Sequence, residues 1–563
     1  MQTSTSALDV AASLQEIAVM LRLKGGRYFQ ARAYESAARL VAQLGDSLDT
    51  LIREDRLRSI SGIGESIARQ IEQLQQTGSS WLLEKLRSEL PRGVVELSTV
   101  QGLSLKKIQQ LQDALGISNI AELKAAAEEQ KIRTVKGFGP KTEKKLLDAL
   151  THAPKKRTEL HLHKALRMAE EIVAYLRTNK TVKRVEIAGD VRRWRETTTE
   201  LTIVASSSRT SDLLDHFARY PMLVRVLEQN LESCMALLNT GIKVTLTAVS
   251  PNEFAFALLQ ATGSVQHLER LNQLTNSRSL RSAKSEQQIY RELGLQYIPP
   301  ELREDSGEIE AALSGQLPED LIQLGDIRGM VHCHTNYSDG KHTIEEMARG
   351  ADELGLLYLT ITDHSPTAFY AGGLKEDRLY RQWDEIDYVQ DKVKVKLLRG
   401  TESDILADGS LDYPDRILDQ FDVIIASIHA RYRMDESQMT ERITTAMRQP
   451  WFKIWGHALG RLIEHRPPFK CRMEEILDVV QESQAAIEIN GDPYRLDMAP
   501  EWIRLARERG IKFVISTDAH SINGMKNLKF GVGIARRGWV RRDEVLNTLE
   551  TSAFRNAVKP NSI

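Results

Sequence analysis

Six histidines and three carboxylates in the last two-fifths of the chain have the types and spacing of a metal centre. His332 and His334 end the apolar run "GMVHCH", and Asp339 follows in the next loop. Asp363 and His364 end "YLTITDH", Glu402 ends "VKLLRGTE", His429 ends "VIIASIH" and His457 ends "KIWGH". Asp518 and His520 end "FVISTDAH", leaving "AAIEIN" as a run without such an ending. In H-C-H and D-A-H the i, i+2 spacing places both side chains on one face of a strand. His332, His334, Asp339, His364, Glu402, His429, His457, Asp518 and His520 exceed what one ion takes, so two or three divalent ions are expected, with Glu402 as a bridge. Imidazole and carboxylate without thiolate suit Mn²⁺ or Zn²⁺ and fit Mg²⁺ poorly. Such ions make hydroxide from water near neutral pH and neutralise phosphate oxygens, so phosphoester hydrolysis is the expected reaction class. Arg461, Arg536 and Arg537 are candidates for holding the substrate phosphate. His161 and His163 serve as a contrast: they lie in a helical pattern, where i, i+2 residues do not share a face, and are expected at the surface.

The elements that would position these residues follow from the texture of the chain. Seven apolar runs alternate with helical patterns after about residue 325, which indicates parallel strands covered by helices, an α/β barrel or a doubly wound sheet. In a barrel, the C-terminal strand ends converge on one mouth. Residues 1 to about 150 are short helical units broken by glycines, and 158 to about 315 mix helices with β-rich runs. With 563 residues, three or four domains are expected. A net charge of −1 confines any polyanion binding to local patches. Three widely spaced cysteines argue against a disulfide framework and suit a reducing cytoplasm. No apolar run approaches the length of a membrane span, so no membrane association is expected.

Two glycine turns carry a second signal. "SGIGES" places Gly62 and Gly64, and "KGFGPK" places Gly137, Gly139 and Lys141, between two short helical patterns. A third, degenerate turn is "VQGLS". Backbone N–H groups at such turns hold a nucleic-acid phosphate without reading bases. The stretch from 131 to 157 adds a strong excess of Lys and Arg over acidic residues.

Residues 327–563 resemble a PHP (polymerase and histidinol phosphatase) domain, through "HCHTNYSDG", "TDHS", "GTESDI", "IASIHAR", "GHALGR" and "STDAH". That resemblance implies a seven-stranded distorted barrel with a trinuclear metal centre. It puts His332, His334, Glu402, His429 and Asp518 on one side and Asp339, His364, His457 and His520 on the other. With the helix-hairpin-helix turns, "LRLKGGRYFQARAYESAARL", "ATGSVQHLERL" and "YRELGLQYIPPELREDSGEIEAA", the whole chain resembles a bacterial family X DNA polymerase of the PolX type. The implied organisation is a helical DNA-binding domain (1–88), a second helix-hairpin-helix domain (89–157), an α+β polymerase-like palm and thumb region (158–318) and the PHP metallo-phosphoesterase barrel (325–563).

The stretch "AGDVRRWRETTTELTIV" keeps the family's Gly189, Arg192, Arg193, Glu196 and Thr197. The two metal-binding aspartates of the family fall on Glu200 and Thr202, the third on Thr245, and the phosphate-binding Ser on Asp190. The lyase lysine of related small domains falls near Gln70, which has no amine for Schiff-base chemistry. The expectation is therefore a monomeric, cytoplasmic DNA-repair phosphodiesterase acting on gapped, 3′-ended or damaged DNA. Its 3′→5′ exonuclease activity, with cleavage at abasic sites a further option, would reside in the PHP barrel. Arg192 and Arg193 remain available to steady a phosphate backbone in this reading. Alternatives are a family X polymerase that tolerates its altered site, a DNA-binding scaffold with structural metals, and a small-molecule phosphatase.

Overall fold

The computed structural model describes residues 7–24, 28–44, 47–53, 56–60, 62–91, 93–98, 100, 103–151, 159–274 and 278–559. The degenerate turn at Gly102, the basic run 152–158 and the boundary placed at 157/158 lie outside the described residues.

The N-terminal part is helical. Helix Ala7–Leu23 buries Val10, Leu14, Ile17 and Leu21, a stripe at helical spacing that packs on helices Tyr28–Leu44 and Glu65–Thr77. The region that follows has its own core of Val94, Leu97, Ile108, Leu111, Leu123 and Phe138. Both glycine turns adopt the geometry that their sequences require. Gly62 (φ +98°) and Gly137 (φ +94°) occupy a left-handed backbone region that L side chains rarely adopt. Gly64 caps the helix Glu65–Thr77, and Gly139 precedes Pro140, the first residue of helix Pro140–Thr151, where the missing proline N–H is no loss. Space beside the Cα of Gly64 and Gly139 is open, and Lys141 is exposed.

The middle of the chain begins with β1 (Leu160–His161), β2 (Val182–Ala188), β3 (Thr197–Thr198), β4 (Glu200–Ser207), β5 (Leu223–Gln229), β6 (Ser233–Leu238) and β7 (Lys243–Val249). β1 pairs with β3, and the others form a five-stranded sheet in the order β2-β4-β7-β6-β5. Only the β4–β7 pair is parallel.

The surface placement expected of His161 and His163 does not hold: His161 is buried and His163 half-buried. His161 is 3% exposed and lies in β1, not in the helix, which begins at Leu162 (Leu162–Leu176). Its Nε2 is 3.1 Å from Glu464, and the His163 ring packs edge-on against Tyr494. Burial and the cations around it pull the His163 imidazole down to about 4, so it stays neutral. Local periodicity cannot reveal this, because the covering residues come from the barrel, some 300 positions later.

A buried ion network holds the core to the segment after it. Arg192 grips Glu286 with two hydrogen bonds of 2.9 and 2.6 Å, and the fully buried Arg303 donates to the same carboxylate at 2.6 Å. Arg193 donates to Asp190, Thr262 O and Glu304. Neither arginine is therefore presented to a phosphate backbone, contrary to expectation: Arg192 is committed to the remote Glu286, and Arg193 to the remote Glu304 and the neighbouring Asp190.

The barrel strands are β8 (Gly329–Met330), β9 (Tyr358–Ile361), β10 (Lys396–Asp404), β11 (Val423–Ser427), β12 (Ile454–Trp455), β13 (Ala486–Asn490) and β14 (Phe513–Ser516). They form one all-parallel sheet in sequence order. All seven coincide with the seven apolar runs. A further parallel bridge between Cys333 and Ala519 joins the ends of β8 and β14, with His334 N–H donating to Ala519 O (2.9 Å) and Ala519 N–H to His332 O (3.1 Å). The arrangement is thus a nearly closed (β/α)7 barrel, and its closure falls between ligand-type residues. Among the described residues, no helix is long and apolar enough to cross a membrane.

Removing Glu286 leaves Arg303 buried without its carboxylate. Glu286→Ala is expected to destabilise the core by about 3–5 kcal/mol, read as a shift of its urea unfolding midpoint.

Candidate metal centre

The nine ligand-type residues meet at the barrel mouth. Glu402 is at their middle, 1% exposed. Its Oε2 is 3.5 Å from His332 Nε2, 3.5 Å from His334 Nε2 and 3.0 Å from His364 Nδ1. Its Oε1 is 2.8 Å from His457 Nε2 and 3.2 Å from His429 Nε2. Asp518 Oδ1 is 3.0 Å from His334 and 3.5 Å from His332. Asp339 Oδ1 lies 3.3 Å from His520, 3.7 Å from His364 and 3.8 Å from His334. Three sets are compact enough to share an ion: His332, His334, Glu402 and Asp518; His334, Asp339, His364 and His520; and His364, Glu402 and His429. His457 departs from the implied grouping. It sits beside Glu402 and His429, away from the Asp339 and His520 side.

Backbone geometry at the strand ends serves this convergence. His457 (φ +24°) and Asp518 (φ +51°) have positive φ, strain that persists only where the surroundings over-determine it. Asp339 returns to the mouth through a tight turn in which Gly340 N–H donates to Thr335 O, and a Cβ on Gly340 would come within 2.5 Å of His334 O.

The donor set fits metal ions on the evidence of its own atoms. His332 Nε2, both ring nitrogens of His334, His364 Nδ1, Glu402 Oε2 and Asp518 Oδ1 are buried without a hydrogen-bond partner. Buried polar atoms are normally satisfied, and here the unsatisfied ones converge on one small volume. Burial disfavours ionised Glu402 and Asp518, yet the surrounding imidazoles hold both carboxyls well below their usual range. His332 is held well above its usual range, because Glu488, Glu402 and Asp518 outweigh burial. This is a cluster of negative charge that calls for cations.

Two carboxylates missed in the sequence orient the ligands. Glu488, fully buried in β13, accepts from His332 Nδ1 (2.8 Å) and from His457 N–H (2.6 Å), which fixes the His332 tautomer with Nε2 facing inward. Asp404 does the same for His429 Nδ1 at 3.1 Å. Both had a signal: a lone Glu within "AAIEIN", and an Asp two residues beyond Glu402 on the same strand face. Asp363 faces away from the cluster and binds Thr335, Ser338 and Gln382.

The arginines expected to hold phosphate do other work. Arg461 donates to Glu196 (2.7 and 3.3 Å), Arg495 O (3.0 Å) and Leu496 O, bridging the β1–β4 region to the barrel. Arg536 is bound to Glu301 and Ile322 O, and Arg537 faces Glu304 at 3.6 Å. Packing reinforces this junction: a Cβ on Gly533 would overlap the Trp194 ring, at 2.4 Å from its Cε3. The arginine at the centre is Arg495, which the sequence did not flag. Its Nε is 3.5 Å from Asp518 Oδ2, and its Nη1 is buried and unpaired.

Three family models match the chain: a helix-hairpin-helix domain at residues 7–80, a SAM-like helix-hairpin-helix tandem at 94–151 and a PHP domain at 331–492. Fold and site together define a helix-hairpin-helix protein with a polymerase-like core and a PHP barrel. The chain is 34% identical to the "DNA polymerase/3′-5′ exonuclease PolX" of Bacillus subtilis (strain 168) over 557 residues, 96% of this chain and 97% of that one. It belongs to the PolX family of bacterial family X DNA polymerases. The barrel alone is also similar to a probable phosphatase of Caldanaerobacter subterraneus subsp. tengcongensis, at 28% identity over 40% of this chain and 84% of that protein.

Glu488→Gln is expected to weaken divalent-metal affinity about 10- to 100-fold without removing a ligand. Metal content after equilibrium dialysis against Mn²⁺ or Zn²⁺, read by mass spectrometry, checks this. Arg461 and Glu196 are expected to couple by about 0.5–3 kcal/mol in a double-mutant unfolding cycle, and additive single effects would count against their bridge.

Proposed function

We propose that this protein is a DNA-binding phosphodiesterase whose PHP barrel removes nucleotides 3′→5′, and whose polymerase site is silent. The observation that carries the reading is the contrast between its two sites. The nine ligand-type side chains of the barrel converge around Glu402 with unsatisfied donors pointing inward. In the core sheet, Thr202 and Thr245 are register neighbours on β4 and β7, and Glu200 is exposed at the start of β4. Asp190 is occupied by Arg193 at 2.5 Å and Thr198 at 3.0 Å. Among the described residues, all three groups able to share an ion lie in the barrel. One glutamate and two threonines do not neutralise a triphosphate.

The printed function of the Bacillus subtilis relative, polymerase and 3′-5′ exonuclease, supports the nuclease half of this reading. His332, His334, Asp339, His364, Glu402, His429, His457, Asp518 and His520 would hold two or three Mn²⁺ or Zn²⁺ ions. When bound, these supply a nucleophilic hydroxide and charge neutralisation for the phosphodiester. The chain's own groups do the rest. Glu488 and Asp404 keep His332 and His429 in the required tautomers. Arg495 offers its unpaired Nη1 to the substrate phosphate, in the role the sequence assigned to Arg461. The open turns at Gly62–Gly64 and Gly137–Gly139, with Lys141, hold the DNA backbone without base readout. Gaps, 3′ ends and damaged sites are the expected substrates, and cleavage at abasic sites is a further activity of the same centre. The polar face of helix Glu65–Thr77 offers Gln70 where a lyase would need an amine.

Asp339→Ala is expected to lower digestion of 3′-labelled single-stranded DNA by at least about 100-fold, while DNA binding by gel shift is retained. Retained digestion by a contaminant-free preparation would falsify the assignment. Primer extension with dNTP and Mn²⁺ is expected to yield no product from the wild type. Extension that persists in Asp339→Ala and is lost in Glu200→Ala would instead support a residual polymerase.

A further inference from the structure

A second feature lies where three parts of the chain meet. Helices Ala7–Leu23 and Tyr28–Leu44, helix Leu162–Leu176 and the barrel segments around Tyr494 and Lys526–Phe530 enclose a cleft of about 710 Å³. Its walls carry Arg22, Arg32, Lys164, Arg167, Lys526 and Lys529 against only Glu35 and Glu170. That is a surplus of four positive charges on a chain whose net charge is −1. Bringing cations from three distant stretches into one concavity costs self-repulsion, which a polyanion would relieve. An aromatic shelf lies among them. Tyr494 is 42% exposed, Lys164 Nζ sits 5.5 Å from its ring centroid, and the neutral His163 ring supports it edge-on at 5.0 Å.

From this geometry we infer that the cleft is a binding site for a single nucleic-acid strand, holding the phosphodiester backbone on its cations and stacking a base on Tyr494. Basic walls with an exposed aromatic face are the general means of gripping single strands without sequence preference. The site adjoins the metal centre. Tyr494 precedes Arg495, whose Nε is 3.5 Å from Asp518, so the Tyr494 Cα lies within roughly 13 Å of that carboxylate. Lys526 and Lys529 follow the ligand His520 by way of the single turn Ile522–Met525. A strand whose 3′ end enters the centre thus has its preceding few nucleotides in reach of the cleft. The inference rests on the proposed nuclease reading for the direction of the strand, and on the cleft alone for binding.

The test uses the full-length protein and a fluorescent dT20 strand. Lys526→Gln/Lys529→Gln removes two cations from the wall and no metal ligand. The slope of log K against log salt is expected to fall by about 1.4, and affinity at 0.1 M salt to fall roughly 25-fold. A strand carrying 5-iododeoxyuridine is expected to photo-crosslink to the peptide containing Tyr494. On the nuclease side, the loss in kcat/KM is expected to grow from dT2 to dT20. A wild-type salt slope in the double variant, with no crosslink at Tyr494, overturns the site. An equal loss on dT2 and dT20 also overturns it, because that pattern marks damage to the centre. If the wild type binds dT20 through the cleft but digests nothing, the nuclease reading fails while the binding site stands.

Discussion

The barrel is organised around one buried carboxylate that has more partners than it can satisfy. Glu402 lies within 3.5 Å of five imidazoles contributed by four other strand ends or the loops that follow them. A carboxylate removed from water costs several kcal/mol unless it is compensated, and hydrogen bonds from neutral imidazoles compensate it only in part. Asp518 and the fully buried Glu488 deepen the same negative potential. Either protons on the imidazoles or divalent ions must balance it. The Cys333–Ala519 bridge, the positive φ at His457 and Asp518 and the tight Gly340 turn all hold the chain in the one arrangement where ions would do so.

The core sheet shows the opposite outcome. On β4 and β7 Thr202 and Thr245 lie side by side, an ordinary β-sheet pair that needs no ion. The polar residues around the turn after β2 act as struts. Arg192 and Arg303 share Glu286, Arg193 bridges Asp190 and Glu304, and Glu196 reaches across to Arg461 of the barrel. Arg461 in turn holds the carbonyls of Arg495 and Leu496, so Glu196 braces, through Arg461, the loop that places Arg495 beside Asp518.

Which features were legible follows from the range of the interactions behind them. The seven strands, and the convergence of ligand-type residues at their ends, were readable because each depends on local patterning: apolar runs of strand length, with ligand types at i, i+2 on one face. The glycine turns were readable for the same reason, since positive φ at Gly62 and Gly137 is a property of the residue itself. Arg461, Arg536 and Arg537 misled because a guanidinium's role depends on its partner, and Glu196 lies 265 positions from Arg461. His161 and His163 misled because the barrel covers a face that local periodicity marks as polar. Glu488 was visible as a charge in an apolar strand, but its link to His332 spans 156 positions.

The same long-range logic explains why charge composition was silent. A net charge of −1 is compatible with a strongly basic cleft, because the cations that line it belong to three segments that only the fold assembles. The barrel interior takes the opposite sign, with Glu402, Glu488 and Asp518 buried there, Glu488 six residues before Tyr494 and Asp518 eight before Lys526. A phosphodiester strand in the proposed cleft would meet positive charge first, and would meet the carboxylate cluster only where bound cations offset its charge. Binding and hydrolysis would thereby be separated in space and in electrostatics. Without cations the carboxylate cluster would repel the backbone that the cleft attracts, so metal occupancy would be the condition for a strand end to enter.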